Sequence, residues 1–285
     1  MGKETVTYPT YTAPITDAES ALYKPFLKEL IDAAFGVIGR YFLRDIAIVD
    51  KANGTPVTAA DKGAEEKMRA MIEERFPEHG IYGEEYGIKE AGEGAVRYRW
   101  ILDPIDGTRS FITHSFLFGT LIALERDDGQ GFRPILSSIS HAAAGVRVIG
   151  SSAGTFMTVD NGLGAFSRPL HVRACHALSQ ATLLTTSHWT TPEQKGGSQM
   201  QSVIDRVRLY RTMGDCFGYF AVASGGADIM IDPDLSYWDL AALIPVVEGA
   251  GGCITSVSGG NPLTELSAVC TAGGVHDEVL ALLKN

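Results

Sequence analysis

Over residues 16–43, apolar side chains recur at helical spacing (Leu22, Phe26, Leu30, Ala33, Ile38, Phe42), which predicts a long opening helix with no proline after residue 25. Its apolar stripe needs a partner layer. Over residues 46–57, Asn53-Gly54 separates two extended segments and predicts a hairpin. Thr58-Ala59-Ala60-Asp61 then opens a second amphipathic helix that ends near Phe76-Pro77. Beyond this the period changes. Strand-like runs over 100–102, 116–124, 135–141 and 146–149, separated by Asp, Gly and Pro turns, predict a mainly antiparallel sheet.

After the turn-rich stretch 160–168 the chain alternates strand and helix. Strands are expected over 182–186, 209–211, 228–231, 253–255 and 268–271, and helices over 199–207, 216–224, 237–248 and 275–283. Alternation of this kind implies a layered α/β lobe. The expectation is therefore two lobes of one compact α+β unit, residues 1–160 and 161–285, with no internal repeat or low-complexity segment.

Composition narrows the function classes. With 285 residues and 45% apolar content the chain supports a sizeable core, and its formal charge of −10 argues against nucleic acid or anionic lipid as partners, since these need clustered Lys and Arg. Cys175, Cys216, Cys253 and Cys270 are far apart, with no C-x-x-C or Cys/His ligand spacing, and read as reduced core thiols of a cytoplasmic protein. The first twenty residues lack the apolar core of an export signal, Val6 stands where a myristoylation motif wants Ser or Thr, and no run of about 18 apolar residues appears. No membrane association is expected.

Candidate chemistry gathers where strands end. The run Trp100-Ile101-Leu102 leads into Asp103-Pro104-Ile105-Asp106-Gly107-Thr108, so two carboxylates stand three apart at the exit of a buried strand. Pro104 restricts the backbone, Gly107 permits close approach of a ligand, and amides opening a helix at Gly107 and Thr108 would face an anion. A plain Asx turn at a strand end is the competing reading. Glu84-Glu85 follows the short apolar run Ile81-Tyr82-Gly83, and Asp239 stands in the first turn of an apolar helix. Alone, Asp239 reads as a helix cap, and Asp61 as the third residue of a capping box. Together the four positions offer the hard oxygen ligands that Mg²⁺ takes alongside water and substrate phosphate.

Gly83-Glu84-Glu85, Trp100-Ile-Leu-Asp-Pro-Ile-Asp-Gly-Thr108, Trp238-Asp239-Leu-Ala-Ala and Glu248-Gly-Ala-Gly-Gly252 resemble the inositol monophosphatase family in order and spacing, over nearly the whole chain. The resemblance implies a layered α-β-α-β-α sandwich like that of fructose-1,6-bisphosphatase, a homodimer, and two or three Mg²⁺ per site. It implies metal ligation by Glu84, Asp103, the Ile105 carbonyl, Asp106 and Asp239, with Asp61 near the attacking water and a further cation. Thr108 and Glu84 would orient that water, the Gly107 and Thr108 amides would hold the phosphate, and Asp232 would contact the alcohol. No covalent phosphoenzyme is required, because two cations roughly 3.5 to 4 Å apart stabilise both the attacking and the leaving oxygen.

The resemblance implies a small phosphate monoester as substrate, and the motif departs from the inositol pattern D-G-T-T-N-F by continuing as Arg109-Ser110-Phe111-Ile112. That continuation, with Met213-Gly214-Asp215-Cys216-Phe217-Gly218-Tyr219, resembles the histidinol-phosphate phosphatase branch. An anionic Asp215 near the substrate suits the ammonium or imidazolium of histidinol phosphate, while a helix cap at Cys216 is its structural alternative; Arg109 stands between substrate contact and a surface ion pair. Inositol 1-phosphate and other polyol monoesters remain alternatives. Ser110 argues against a 3'-phosphoadenosine-5'-phosphate phosphatase. Haloacid dehalogenase phosphatases place their acids two apart, not three, and a non-catalytic cation binder would not need Asp61 and Thr108. His114, His141 and His188 show no ligand spacing, and Trp189 stands in a polar loop where it would cover substrate or pack at a subunit contact.

Overall fold

The structure, a computed structural model, describes residues 8–50, 56–188 and 197–284. The Asn53-Gly54 turn and Trp189 lie outside the described residues. In chain order the elements are α1 (Asp17–Ile38), β1 (Ile48–Asp50), β2 (Pro56–Thr58), α2 (Ala59–Arg75), β3 (Gly80–Gly83), β4 (Gly87–Lys89), β5 (Arg97–Asp106), α3 (Thr108–Ile112), β6 (Gly119–Asp127) and β7 (Arg133–His141). There follow β8 (Val146–Ser151), β9 (Gly154–Asp160), β10 (Ala165–Leu170), β11 (Thr182–Leu184), α4 (Gly197–Ile204), β12 (Leu209–Arg211) and α5 (Cys216–Ala223). The chain closes with β13 (Ile229–Asp232), α6 (Tyr237–Gly249), β14 (Cys253–Thr255), α7 (Pro262–Glu265), β15 (Ala268–Thr271) and α8 (His276–Leu283).

Five layers stack. Helices α1 and α2 cover one face of an eight-stranded sheet ordered β10-β9-β8-β7-β6-β5-β3-β4, helices α5 and α6 fill the space between it and a five-stranded sheet ordered β12-β11-β13-β15-β14, and α4 and α8 close the far side. The larger sheet is antiparallel except where β3 runs parallel to β5, and in the smaller one β11 runs parallel to both β12 and β13. Three apolar cores fill the four interlayer spaces, one beneath α1 and α2, one surrounding α5 and α6 between the two sheets, and one beneath α4 and α8. Helix α6 is buried on every side from Leu240 to Val247, which explains its continuous apolar run. It lies so close to β8 that a Cβ on Gly150 would stand 2.4 Å from the Val246 Cα.

Three local expectations shift. Helix α1 starts on a capping box of Thr16 and Glu19 but stops at Ile38, where the bonding tightens to the Arg40 and Tyr41 N–H groups on the carbonyls three residues back and Phe42 leaves to pack on Phe111, Phe116 and Phe118. Its buried stripe runs through Tyr23, Phe26, Leu27, Leu30, Ile31, Ala34 and Ile38, leaving Leu22 46% exposed. Strand β6 begins at Gly119 rather than at 116, since Phe116 lies outside the sheet, 56% exposed. The stretch 160–168 is the tip and return of the β9–β10 hairpin, so the larger sheet runs on to Leu170.

Candidate active site

Residues three apart on a regular strand point to opposite faces. Asp103 and Asp106 escape that geometry through a bulge: Asp103 pairs with Leu121 and Asp106 with Gly119, so one extra residue on β5 shifts the phase of the pleat. Thr120 Oγ1 donates to the Pro104 carbonyl at 2.8 Å within the bulge. Strand β3, parallel to β5, places Gly83 beside Leu102 and delivers Glu84 next to Asp103, its N–H bonding the Leu102 carbonyl at 3.1 Å. Gly83 lets the Glu65 carboxylate approach, because a Cβ there would meet Glu65 Oε1 at 2.0 Å and push it aside. Glu65, fully buried on α2, receives the Glu85 amide at 2.8 Å and the Tyr86 amide at 3.2 Å and thereby holds the turn that carries Glu84.

Two helix N-termini complete the cluster. Asp61 is the third residue of the α2 capping box, its Oδ2 accepting the Thr58 N–H at 2.8 Å and the Thr58 hydroxyl at 2.6 Å. Its other oxygen lies 3.4 Å from Thr108 Oγ1, which is also 3.2 Å from the Ile105 carbonyl. Asp239 holds the same position on α6, accepting the Ser236 N–H at 2.8 Å. Capping and site are thus not alternatives, since each carboxylate spends one oxygen on its helix while Asp61 keeps its other for Thr108 and Asp239 lines the cavity.

Asp103, Asp106 and Asp239 bring carboxylate oxygens within 4.8 Å of one another. Burial, then the charge of Glu84, Asp106 and Asp239, pushes the Asp103 pKa well up. Burial and the neighbouring Asp215 and Asp239 do the same for Asp106, although the Cys216 N–H donates to its Oδ2 at 2.5 Å. Burial pushes Asp239 up to about 7 and raises Asp61 against the pull of Thr58. Asp103 Oδ1 is buried with no hydrogen-bond partner. Clustered acids that repel one another, with one orphaned oxygen among them, fit a hard divalent cation that neutralises the charge and takes the free lone pair.

A space of about 310 Å³ over Glu84, Asp103, Asp106, Thr108 and Asp239 adjoins a larger one of about 680 Å³ reaching Asp215, Tyr219, Asp232 and Asp234. Gly107, at φ 76°, starts α3, and a Cβ there would stand 2.5 Å from Asp215 Oδ2. Asp215 makes no cap bond to α5 and instead accepts the Ser110 hydroxyl at 2.7 Å. Burial raises its pKa, opposed by Ser110 and by the nearby charge of Arg109, which is itself exposed at the rim of both spaces. Asp232 accepts the Tyr219 hydroxyl at 3.0 Å and the Thr186 N–H at 3.2 Å, and burial pushes it up to about 7.

Every residue given a catalytic, metal-binding or substrate-binding role in the sequence therefore lines one of these two spaces or touches a residue that does. Sequence reasoning missed Glu65, Thr186 and Ser236 and gave Tyr219 no role of its own. Glu65 carried a signal, lying four residues beyond Asp61 on the same helical face, and so did Ser236, three before Asp239 as in a capping box. His141 is a buried core residue on the Phe118 carbonyl, while His114 and His188 are exposed.

Residues 21–285 match the model of the inositol monophosphatase family. The chain belongs to that family. It is accordingly a metal-dependent phosphomonoesterase acting on small phosphate monoesters. It is 40% identical over 258 residues, 90% of this chain and 71% of the relative, to the bifunctional phosphatase IMPL2, chloroplastic, of Arabidopsis thaliana. It is 37% identical to a histidinol-phosphatase of Chlorobaculum parvum, over 79% of this chain and 82% of that one. The solved structure of an inositol monophosphatase from Zymomonas mobilis superposes with a TM-score of 0.77 at 32% identity, covering 95% of this chain and all of the other. Among the described residues no helix is long and apolar enough to cross a membrane.

Proposed function

We propose that this phosphatase hydrolyses L-histidinol phosphate to L-histidinol and phosphate, using two or three Mg²⁺ held by Glu84, Asp103, the Ile105 carbonyl, Asp106 and Asp239, with Asp61 serving the attacking water and a further cation. The metal part of the reading rests on the orphaned Asp103 oxygen amid mutually repelling acids. The substrate part rests on Asp215, a carboxylate that faces the larger space without capping its helix.

Bound Mg²⁺ would set positive charge against the phosphoryl oxygens and lower the pKa of the attacking water. The chain supplies the rest. Thr58 fixes one oxygen of Asp61, so the other is committed to Thr108, and the raised Asp61 pKa makes it the stronger base for a proton relayed through that hydroxyl. Glu84 and Thr108 orient the water. The Gly107 and Thr108 amides open α3 toward the phosphate, and Arg109 at the rim offers it a cation. Across the larger space Asp215, with Asp232 and Asp234, makes a carboxylate-lined wall that suits the ammonium and imidazole of histidinol and is indifferent to a neutral polyol. The histidinol-phosphatase name of the Chlorobaculum parvum relative favours the same substrate. A homodimer in a reducing cytoplasm completes the reading, consistent with four free, buried cysteines.

The inositol name of the Zymomonas mobilis structure favours inositol 1-phosphate as the second reading. Initial rates with Mg²⁺ on histidinol phosphate, inositol 1-phosphate and 3'-phosphoadenosine-5'-phosphate separate them. Histidinol phosphate is expected to lead in kcat/KM, and Asp215→Asn to lower that value by about ten- to a hundredfold, the worth of a charged hydrogen bond, while inositol 1-phosphate turnover barely moves. A tenfold or so preference for inositol 1-phosphate in the wild type would overturn the substrate assignment, and no phosphate release from any of the three would favour a non-catalytic cation binder.

A further inference from the structure

The three segments that deliver acids to the site meet again behind it, at Tyr237. Tyr237 is the first residue of α6, two before Asp239. Its hydroxyl donates to Glu125 Oε1 at 2.5 Å and receives Arg99 Nη2 at 3.2 Å. Arg99 stands on β5, four residues before Asp103, and donates to Glu125 Oε2 from Nε at 2.9 Å and from Nη2 at 2.6 Å. The Tyr237 ring stacks on Tyr82, with centroids 5.8 Å apart, and Tyr82 also meets the edge of Trp238 at 5.7 Å. Tyr82 lies on β3, two residues before Glu84. Glu125 is fully buried, and the Arg99 guanidinium is sandwiched over Phe132 at 4.3 Å.

We propose that Tyr237, clasped by Glu125 and Arg99 and stacked on Tyr82, is a positioning residue that sets the mutual spacing of Glu84, Asp103 and Asp239 for their cation. A buried, charged network of this kind is a costly way to stabilise a fold, since an apolar trio would do as well or better. It does specify geometry, because each partner accepts only one arrangement of the others. The acids it braces repel one another before a cation arrives, so without the brace the first turn of α6 is free to move away from β5. This inference rests on the reading of those three acids as metal ligands.

The test is calorimetric titration of chelator-stripped protein with Mg²⁺, run on wild type, Tyr237→Phe, Glu125→Gln, the double variant and Asp239→Asn, with melting temperatures and Mg²⁺-dependent kinetics alongside. Tyr237→Phe keeps the stacked ring and removes only the hydroxyl. It is expected to weaken Mg²⁺ about tenfold, as loss of a partner behind a metal ligand does. At saturating Mg²⁺ its kcat should return to within about threefold of wild type. Glu125→Gln should shift Mg²⁺ in the same direction, and the double variant no further than the worse single one. Wild-type Mg²⁺ affinity in Tyr237→Phe, with only a lower melting temperature, would overturn the proposal and leave the ligand assignment standing. Wild-type affinity in Asp239→Asn as well would overturn both.

Discussion

Replacing Asp103 by Asn should stabilise the metal-free protein while destroying its activity. The substitution keeps shape and removes one charge from a cluster whose oxygens lie within 4.8 Å. At an effective dielectric constant of about 20, two full charges at that separation repel by about 3.5 kcal/mol. The raised pKa values of Asp103, Asp106 and Asp239 mean that the cluster already keeps part of a proton near neutrality, which reduces the relief to about 1–3 kcal/mol. In a chain of this size that is a rise of about 2–6 °C in melting temperature. Mg²⁺ inverts the order. At about a hundred times its Kd it adds about 2.7 kcal/mol to the wild type by mass action, and little to a variant lacking a ligand. Melting curves of both proteins in chelator and in Mg²⁺, with phosphate release measured in parallel, are the assay. An Asp103→Asn protein less stable than wild type in chelator, or raised equally by Mg²⁺, would refute the reasoning.

Asp239 has its pKa pushed up to about 7 from an ordinary 3.8, so in the metal-free fold its neutral form is favoured. That contribution is complete below the unfolded pKa and is lost as pH rises through the folded one, so chelated wild type should lose up to a few kcal/mol between about pH 4 and pH 8 that Asp239→Asn does not. Melting temperatures of the two proteins across that range check it, and parallel pH profiles would contradict it. Gly107→Ala places a Cβ 2.5 Å from Asp215 Oδ2 on a residue at φ 76°, which costs about 1–2 kcal/mol of backbone strain and displaces Asp215. Its kcat/KM for histidinol phosphate should fall more than tenfold, and an unchanged value would dissociate Asp215 from the substrate.

Much of this protein was written locally. Helix periodicity located α2, α5 and α6 to within a residue or so and α1 except for its last turn, because burial of one face requires apolar positions every three or four residues whatever the partner layer is. Asp61 and Asp239 read locally as helix caps, which the capping boxes at Thr58 and Ser236 bear out, and only their combination with the strand-end acids and the family resemblance made them site candidates. Glu84, Asp103 and Asp106 were legible because carboxylates at the ends of apolar strands beside glycine have few structural uses.

Their convergence was implied only by the family resemblance, not by local pattern. A spacing of three on a strand predicts opposite faces for Asp103 and Asp106, and only the bulge against β6 turns both to one side. The parallel pairing that sets Glu84 beside Asp103, the docking of α6 across the larger sheet, and the Glu125–Arg99–Tyr237 clasp all join residues far apart in the chain. Sequence alone determined which segments are helix or strand and which side chains stand as candidates for the chemistry, because those depend on neighbours within a turn or two. The tertiary structure decided that they share one cation's reach, because register and layer packing are settled by contacts that local periodicity does not encode.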